Sequence, residues 1–102
     1  VDEMIAIHRS DVFDKTFMCK IDWGLGIMLD SKKYQDDYPY SFGPGCSEET
    51  FGHNGNQSSA AYVDPEHELV VCFGFNGMPG EAAHQKRLYE INEAIYKDLQ
   101  IL

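Results

Sequence analysis

The chain has 102 residues, 43% of them hydrophobic and 25% charged, which suits one compact domain with a modest core and is too short for two. Its formal charge of −9 opposes a phosphate backbone, and its longest cationic runs are the pairs Lys32-Lys33 and Lys86-Arg87, which disfavours nucleic-acid binding. No stretch approaches the ~20 apolar residues that cross a bilayer, so no membrane span is expected.

The first 22 residues read as a lead-in of helix and loop. Val1 to His8 fits a short helix with Met4, Ile5 and Ile7 or His8 on its buried side. The opening Val1-Asp2-Glu3 has no initiator Met and no basic region followed by an apolar one, which reads as a processed, cleaved or truncated start. Asp11 to Lys20 places Val12, Phe13 and Phe17 where a turn or loop would pack on a core. From Trp23 to Leu29 the residues alternate, with Trp23, Leu25, Ile27 and Leu29 on one face and Gly24, Gly26 and Met28 on the other. Period two predicts a strand over 23–30, and its two glycines suggest close approach by another element.

Residues 31–50 contain Asp36-Asp37, Tyr38-Pro39-Tyr40 and Gly43-Pro44-Gly45, so turn formers dominate and a long loop is expected. Phe51 to Val63 reads as a strand, small and polar first and apolar later. Asp64-Pro65-Glu66-His67 is a turn in which proline presets φ. Glu68 to Phe75 is apolar on both faces, which predicts a central, covered strand. These pieces make a hairpin over 51–76. After the Asn76-Gly77-Met78-Pro79-Gly80 break, a helix is predicted over 81–99. Leu88, Ile91, Ile95, Leu99 and Leu102 recur at intervals of 3, 4, 4 and 3, an amphipathic stripe. Antiparallel strands followed by one covering helix give an α+β architecture in a single domain.

The three cysteines, Cys19, Cys46 and Cys72, are an odd number without paired spacings, which argues against a disulfide framework. Cys72 lies in an apolar run and is expected buried. Cys46 lies in a glycine and proline loop and is expected at the surface. His8, His67 and His84 each lack a second ligand at i+2, i+3 or i+4, so neither a metal nor a cofactor is expected.

His53 differs. It stands in Phe51-Gly52-His53-Asn54-Gly55-Asn56-Gln57-Ser58-Ser59, where a structural strand would carry branched or aromatic residues. Small neighbours allow a ligand to lie against the backbone. The competing reading is a turn with a solvent-exposed His and Asn.

Four pieces in order, Trp23-Gly24-Leu25-Gly26-Ile27, Phe51-Gly52-His53-Asn54-Gly55, Ala61-Tyr62-Val63-Asp64-Pro65-Glu66 and Leu69 through Asn76, resemble the C-terminal portion of the class C β-lactamase-related serine hydrolases. That family includes β-lactamases, D-Ala-D-Ala peptidases (penicillin-binding proteins) and esterases. The resemblance covers roughly residues 20–100. It implies the C-terminal portion of the β-lactamase/transpeptidase-like fold and acyl transfer from an ester, amide or β-lactam. By resemblance, His53 takes the lysine position of K-T-G as the catalytic residue of this strand. Asn54 takes the threonine position as a side-chain donor to substrate, Gly55 keeps the strand surface open, and Asn56 offers its backbone N–H to the oxyanion hole.

The family's other two elements, S-x-x-K and Y-x-N, do not occur in these 102 residues. The chain alone is therefore expected to be inactive, a piece of a larger hydrolase. Ser58-Ser59 stand where the family often has glycine, which leaves the strand register open. His in place of Lys points to an ester or peptide rather than a β-lactam. Two alternatives remain: a non-catalytic binding or structural module with this fold, and a small enzyme using Cys46 and His53 as a thiol–imidazole pair. The expected partners are a small acyl substrate of the parent, the missing N-terminal part of the same domain, and a second copy paired through an open sheet edge. Compartment stays open, since unpaired cysteines favour a reducing one and many family members are exported.

Overall fold

The computed structural model describes residues 1–34 and 42–101. Leu102, the last position of the expected helical stripe, and the Asp36-Asp37 and Tyr38-Pro39-Tyr40 portion of the expected loop lie outside them. The elements in chain order are a one-turn helix α1 (Asp2–Ile5), a small hairpin of β1 (Phe13–Asp14) and β2 (Cys19–Lys20), and β3 (Met28–Leu29). A 3-10 turn (Lys32–Tyr34) follows, then β4 (Phe51–Gly55), β5 (Ser59–Asp64), β6 (Leu69–Gly74) and the helix α2 (Glu81–Asp98). The main sheet is antiparallel throughout, in the order β3-β4-β5-β6. Helix α2 covers one face of it, giving the α+β layout expected.

The register explains which side chains α2 meets. Directly paired residues of an antiparallel sheet share a face. Gly52 pairs with Tyr62 and Tyr62 with Val71, while Asn54 pairs with Ala60. Ala60, Tyr62, Asp64 and Val71 are buried, so this is the α2 face. Its core joins Ile21, Met28, Phe42, Cys46, Tyr62, Val71 and Tyr96, with the Phe42 ring stacked on Tyr62 at 5.0 Å. Gly52 is required by this packing: a Cβ there would lie 2.6 Å from Tyr62 Cβ and would also meet the Ala61 carbonyl.

Polar anchors fix the helix on the sheet. The Tyr62 hydroxyl donates to Asn92 Oδ1 at 2.9 Å. Asp64, at zero exposure, accepts from the Tyr96 hydroxyl (2.7 Å), the Ser47 hydroxyl (2.6 Å), Ser47 N–H (3.1 Å) and His67 Nδ1 (2.8 Å). One carboxylate thus joins the 42–50 segment, the β5–β6 turn and α2. Burial alone would raise its pKa, but the donors from Ser47, His67 and Tyr96 outweigh burial and hold it well below the ordinary carboxylate range.

Several expectations are corrected. The segment from Trp23 to Leu29 is not one strand. Trp23 and Met28 form an antiparallel bridge, Gly24 N–H donates to Ile27 O at 2.8 Å, and Gly26 adopts a φ of 71°. It is a tight reversal in which Leu25 is exposed and Leu29 buried, although the alternation put them on one face, and Met28 of the other face is fully buried. The 51–63 region is two strands, divided at Asn56–Ser58 with Gln57 at a φ of 56°. Strand β6 lies at an edge among the described strands, and its outward face is open: Val70 and Cys72 are exposed. Cys46, by contrast, is buried.

The N-terminal helix buries none of its residues, and Ile7, Val12 and Phe13 are exposed; only Phe17 of the expected trio packs on the core. Helix α2 ends at Asp98, and its buried residues are His84, Gln85, Leu88, Asn92 and Tyr96. Of the apolar stripe, Leu88 is buried, Ile91 and Ile95 are half-buried and Leu99 is exposed.

Candidate active site

The opposite face of the sheet carries the candidate site. His53 pairs with Ala61, and Ala61 with Cys72. All three are exposed, a small-residue shelf with one imidazole at its edge. The His53 Nδ1 lies 2.7 Å from the carbonyl oxygen of Asn54. A carbonyl only accepts, so Nδ1 carries the proton of that bond and the neutral ring keeps its lone pair on Nε2. The indole of Trp23 stands against the imidazole, with ring centroids 5.7 Å apart.

Asn54 follows on the α2 face, paired with buried Ala60. Its Oδ1 is buried and has no hydrogen-bond partner among the described residues. The structure therefore does not bring the His53 and Asn54 side chains to one face. Gly55 closes the strand opposite Ser59, and a Cβ at Gly55 would run into the Ser59 hydroxyl. This pairing sets the register that the Ser58-Ser59 departure left open. Asn56 is exposed at the first position of the β4–β5 turn.

A second set of residues, unnoticed in the sequence, holds that turn in place. Arg87 of α2 donates to Gln57 O (2.9 Å) and Gly77 O (3.2 Å), and its guanidinium lies 3.8 Å from the centroid of the Phe75 ring. Arg87 also donates to His84 Nδ1 (3.3 Å), which leaves His84 Nε2–H to donate to Ser59 O (3.2 Å). Gln57 Oε1 accepts from Gly80 N–H and Ser58 O accepts from Phe75 N–H. The i,i+3 spacing of His84 and Arg87 was the available signal, since it puts both on one helix face.

Cys46 and His53 are not a pair. The Cys46 thiol donates to Asp30 Oδ1 at 3.3 Å, beneath Lys32, whose ammonium lies 2.7 Å from Asp30 Oδ2. Burial, with the Asp30 charge beside it, pushes the thiol up to about 12, so it is no nucleophile at neutral pH. Among the described residues no group of three or more His, Cys, Asp or Glu is placed to hold a metal ion, and no helix is long and apolar enough to cross a membrane.

Comparison with protein families decides the kinship. The Beta-lactamase family model matches residues 2–96, nearly the whole chain. The chain belongs to the β-lactamase family. No curated protein matches it. The family match spans the Trp23 reversal, β4, the Asp64-Pro65 turn and most of α2, so it includes every residue of the site just described.

Proposed function

We propose that this β-lactamase-family chain forms one wall of the active site of a serine hydrolase that works by acyl transfer. The observation that carries this reading is His53, exposed on β4 with its Nε2 unprotonated in the neutral ring and the small Ala61 and Cys72 beside it across the sheet. His53 stands at the lysine position of the family's K-T-G strand, where it orients the substrate and takes part in proton movement. The Asn56 N–H supplies half of an oxyanion hole, and the N–H of a nucleophilic serine supplies the other half. One such donor is worth about 2.7–4 kcal/mol of transition-state stabilisation. Asn54, at the threonine position by resemblance, has its side chain on the α2 face with a buried Oδ1, so this reading gives it no contact with a substrate lying beside His53. Gly55 keeps the strand surface low enough for a substrate backbone to approach.

The serine of S-x-x-K and the tyrosine of Y-x-N come from polypeptide outside these 102 residues, so the chain alone transfers no acyl group. An imidazole in place of the ammonium favours esters and peptides over β-lactams. The open face and outer edge of β6 receive the remainder of the same domain in the parent, and in its absence a second copy of the chain.

A fluorophosphonate probe tests the reading. It should label the longer parent on serine and leave the 102-residue chain unlabelled. A parent that lacks S-x-x-K upstream and resists the probe would establish the alternative, a binding or structural module that keeps the fold without catalysis.

A further inference from the structure

We propose that Trp23 is the positioning residue for His53, and that the β1–β2 hairpin holds Trp23 for that purpose. The inference rests on the reading of His53 as a substrate-facing group, and it adds residues from a separate part of the chain to that site.

His53 is exposed, and among the described residues its side chain makes one hydrogen bond, from Nδ1 to the Asn54 carbonyl. That carbonyl is reached only in one ring orientation, and an exposed imidazole on a strand has others available. The Trp23 indole, tilted 52° to the imidazole with ring centroids 5.7 Å apart, flanks the ring in this orientation. The indole is itself held on several sides. Its Nε1–H donates to Asp14 Oδ2 at 3.3 Å, and the Phe17 ring packs on it at 5.9 Å.

Asp14 is nearly buried and is fixed in turn. Its Oδ1 accepts the Thr16 and Phe17 N–H groups at 2.9 and 3.1 Å, and Arg9 Nη1 lies 3.9 Å from its Oδ2. The backbone of Trp23 is pinned as well. Trp23 N–H donates to Arg9 O, while the Arg9 and His8 N–H groups both donate to Trp23 O. The reversal at Leu25-Gly26 then returns the chain into β3 beside β4. A two-stranded hairpin whose Cys19 and Phe17 pack on the core thus also carries a chain of contacts, Asp14 to Trp23 to His53, that ends at the site. Its effect is to keep the proton on Nδ1 and to present Nε2 as the atom that meets substrate.

Imidazole ¹⁵N NMR on the 102-residue chain reads this directly. The unmodified chain should show His53 as the Nδ1–H tautomer, with nuclear Overhauser contacts between the indole and imidazole protons. Trp23→Leu should remove the preference and give a mixture of tautomers, while Trp23→Phe, which keeps a ring but loses the bond to Asp14, should retain only part of it. Three results would each overturn the proposal: an Nε2–H tautomer in the unmodified chain, absence of the ring contacts there, or an unchanged Nδ1–H preference in Trp23→Leu. The first two need no variant to fold. None depends on fluorophosphonate labelling of the parent, so failure of the hydrolase reading and failure of this one are separately visible.

Discussion

Replacing Asp64 with asparagine should cost more stability than any other single polar change in the chain. The side chain keeps its shape, but the charge goes and one acceptor becomes a donor. At present the two carboxylate oxygens accept from Ser47, His67 and Tyr96 in a site of zero exposure. Hydrogen bonds to a charged group contribute about 1.5–3 kcal/mol each, and a donor facing a donor adds a desolvation cost. Some relief comes from the Ser47 and Tyr96 hydroxyls, which can rotate, so a net loss of about 3 kcal/mol is expected. Against a total of roughly 5–15 kcal/mol this is a large share. It corresponds to a fall in Tm on the order of 12–24 °C at ~4–8 °C per kcal/mol.

Urea unfolding followed by the fluorescence of Trp23 measures it. Acid gives a second readout. Because the folded pKa of Asp64 lies below the unfolded one, its contribution is complete above about pH 4 and is lost as the pH falls towards the folded value. The difference between the original chain and the variant should therefore narrow with acid. A loss below about 1 kcal/mol at neutral pH, or a difference that grows as pH falls, would refute the account of Asp64 as the junction of loop, turn and helix.

Gly52→Val should destabilise the fold by about 1–3 kcal/mol or more through collision with Tyr62, read as a lower urea midpoint at unchanged slope. Arg87→Ala should cost about 2 kcal/mol and speed hydrogen exchange at residues 56–58 ahead of β5, since it frees the Gln57 and Gly77 carbonyls. A thiol reagent should modify Cys72 in the native chain, while Cys46 should react only on unfolding; equal rates for the two would contradict their placement. Light scattering should show self-association that rises with concentration and is weakened by Val70→Lys, because a charge on the open face of β6 opposes docking.

How much of this was legible in the sequence depends on what each signal measures. Hydrophobic period located α2 to within a residue at its C-terminal end, but it misjudged the buried seam. His84, Asn92 and Tyr96 face the sheet because Ser59 O, the Tyr62 hydroxyl and Asp64 wait there to bond them. A scale that scores those residues as polar cannot register partners 25 to 32 positions away. The alternation of Trp23 to Leu29 was real as a pattern, yet a glycine at positive φ turned it into a reversal. Glu68 to Phe75 read as covered because it is apolar on both faces; within these residues only one face has a cover. The polar, small-residue run around His53 stood out in the sequence, although the fold explains its Gly52 by the packing of Tyr62. The Asp14, Trp23 and Arg87 contacts were not, because they join segments whose proximity only the fold creates.

Consecutive residues of β4 answer to different neighbours. Phe51, His53 and Gly55 share the face away from α2, while Gly52 and Asn54 lie against the layer that α2 completes. A step of about 3.4 Å along the chain thus separates positions on the open face from positions packed against the core. Substitutions at 51 and 53 leave the α2-covered face untouched, whereas at 55 any side chain meets the Ser59 hydroxyl. Insertion or deletion of one residue in the strand would exchange the two sets at once, so the fold constrains the length of β4 more tightly than the side chains at 51 and 53.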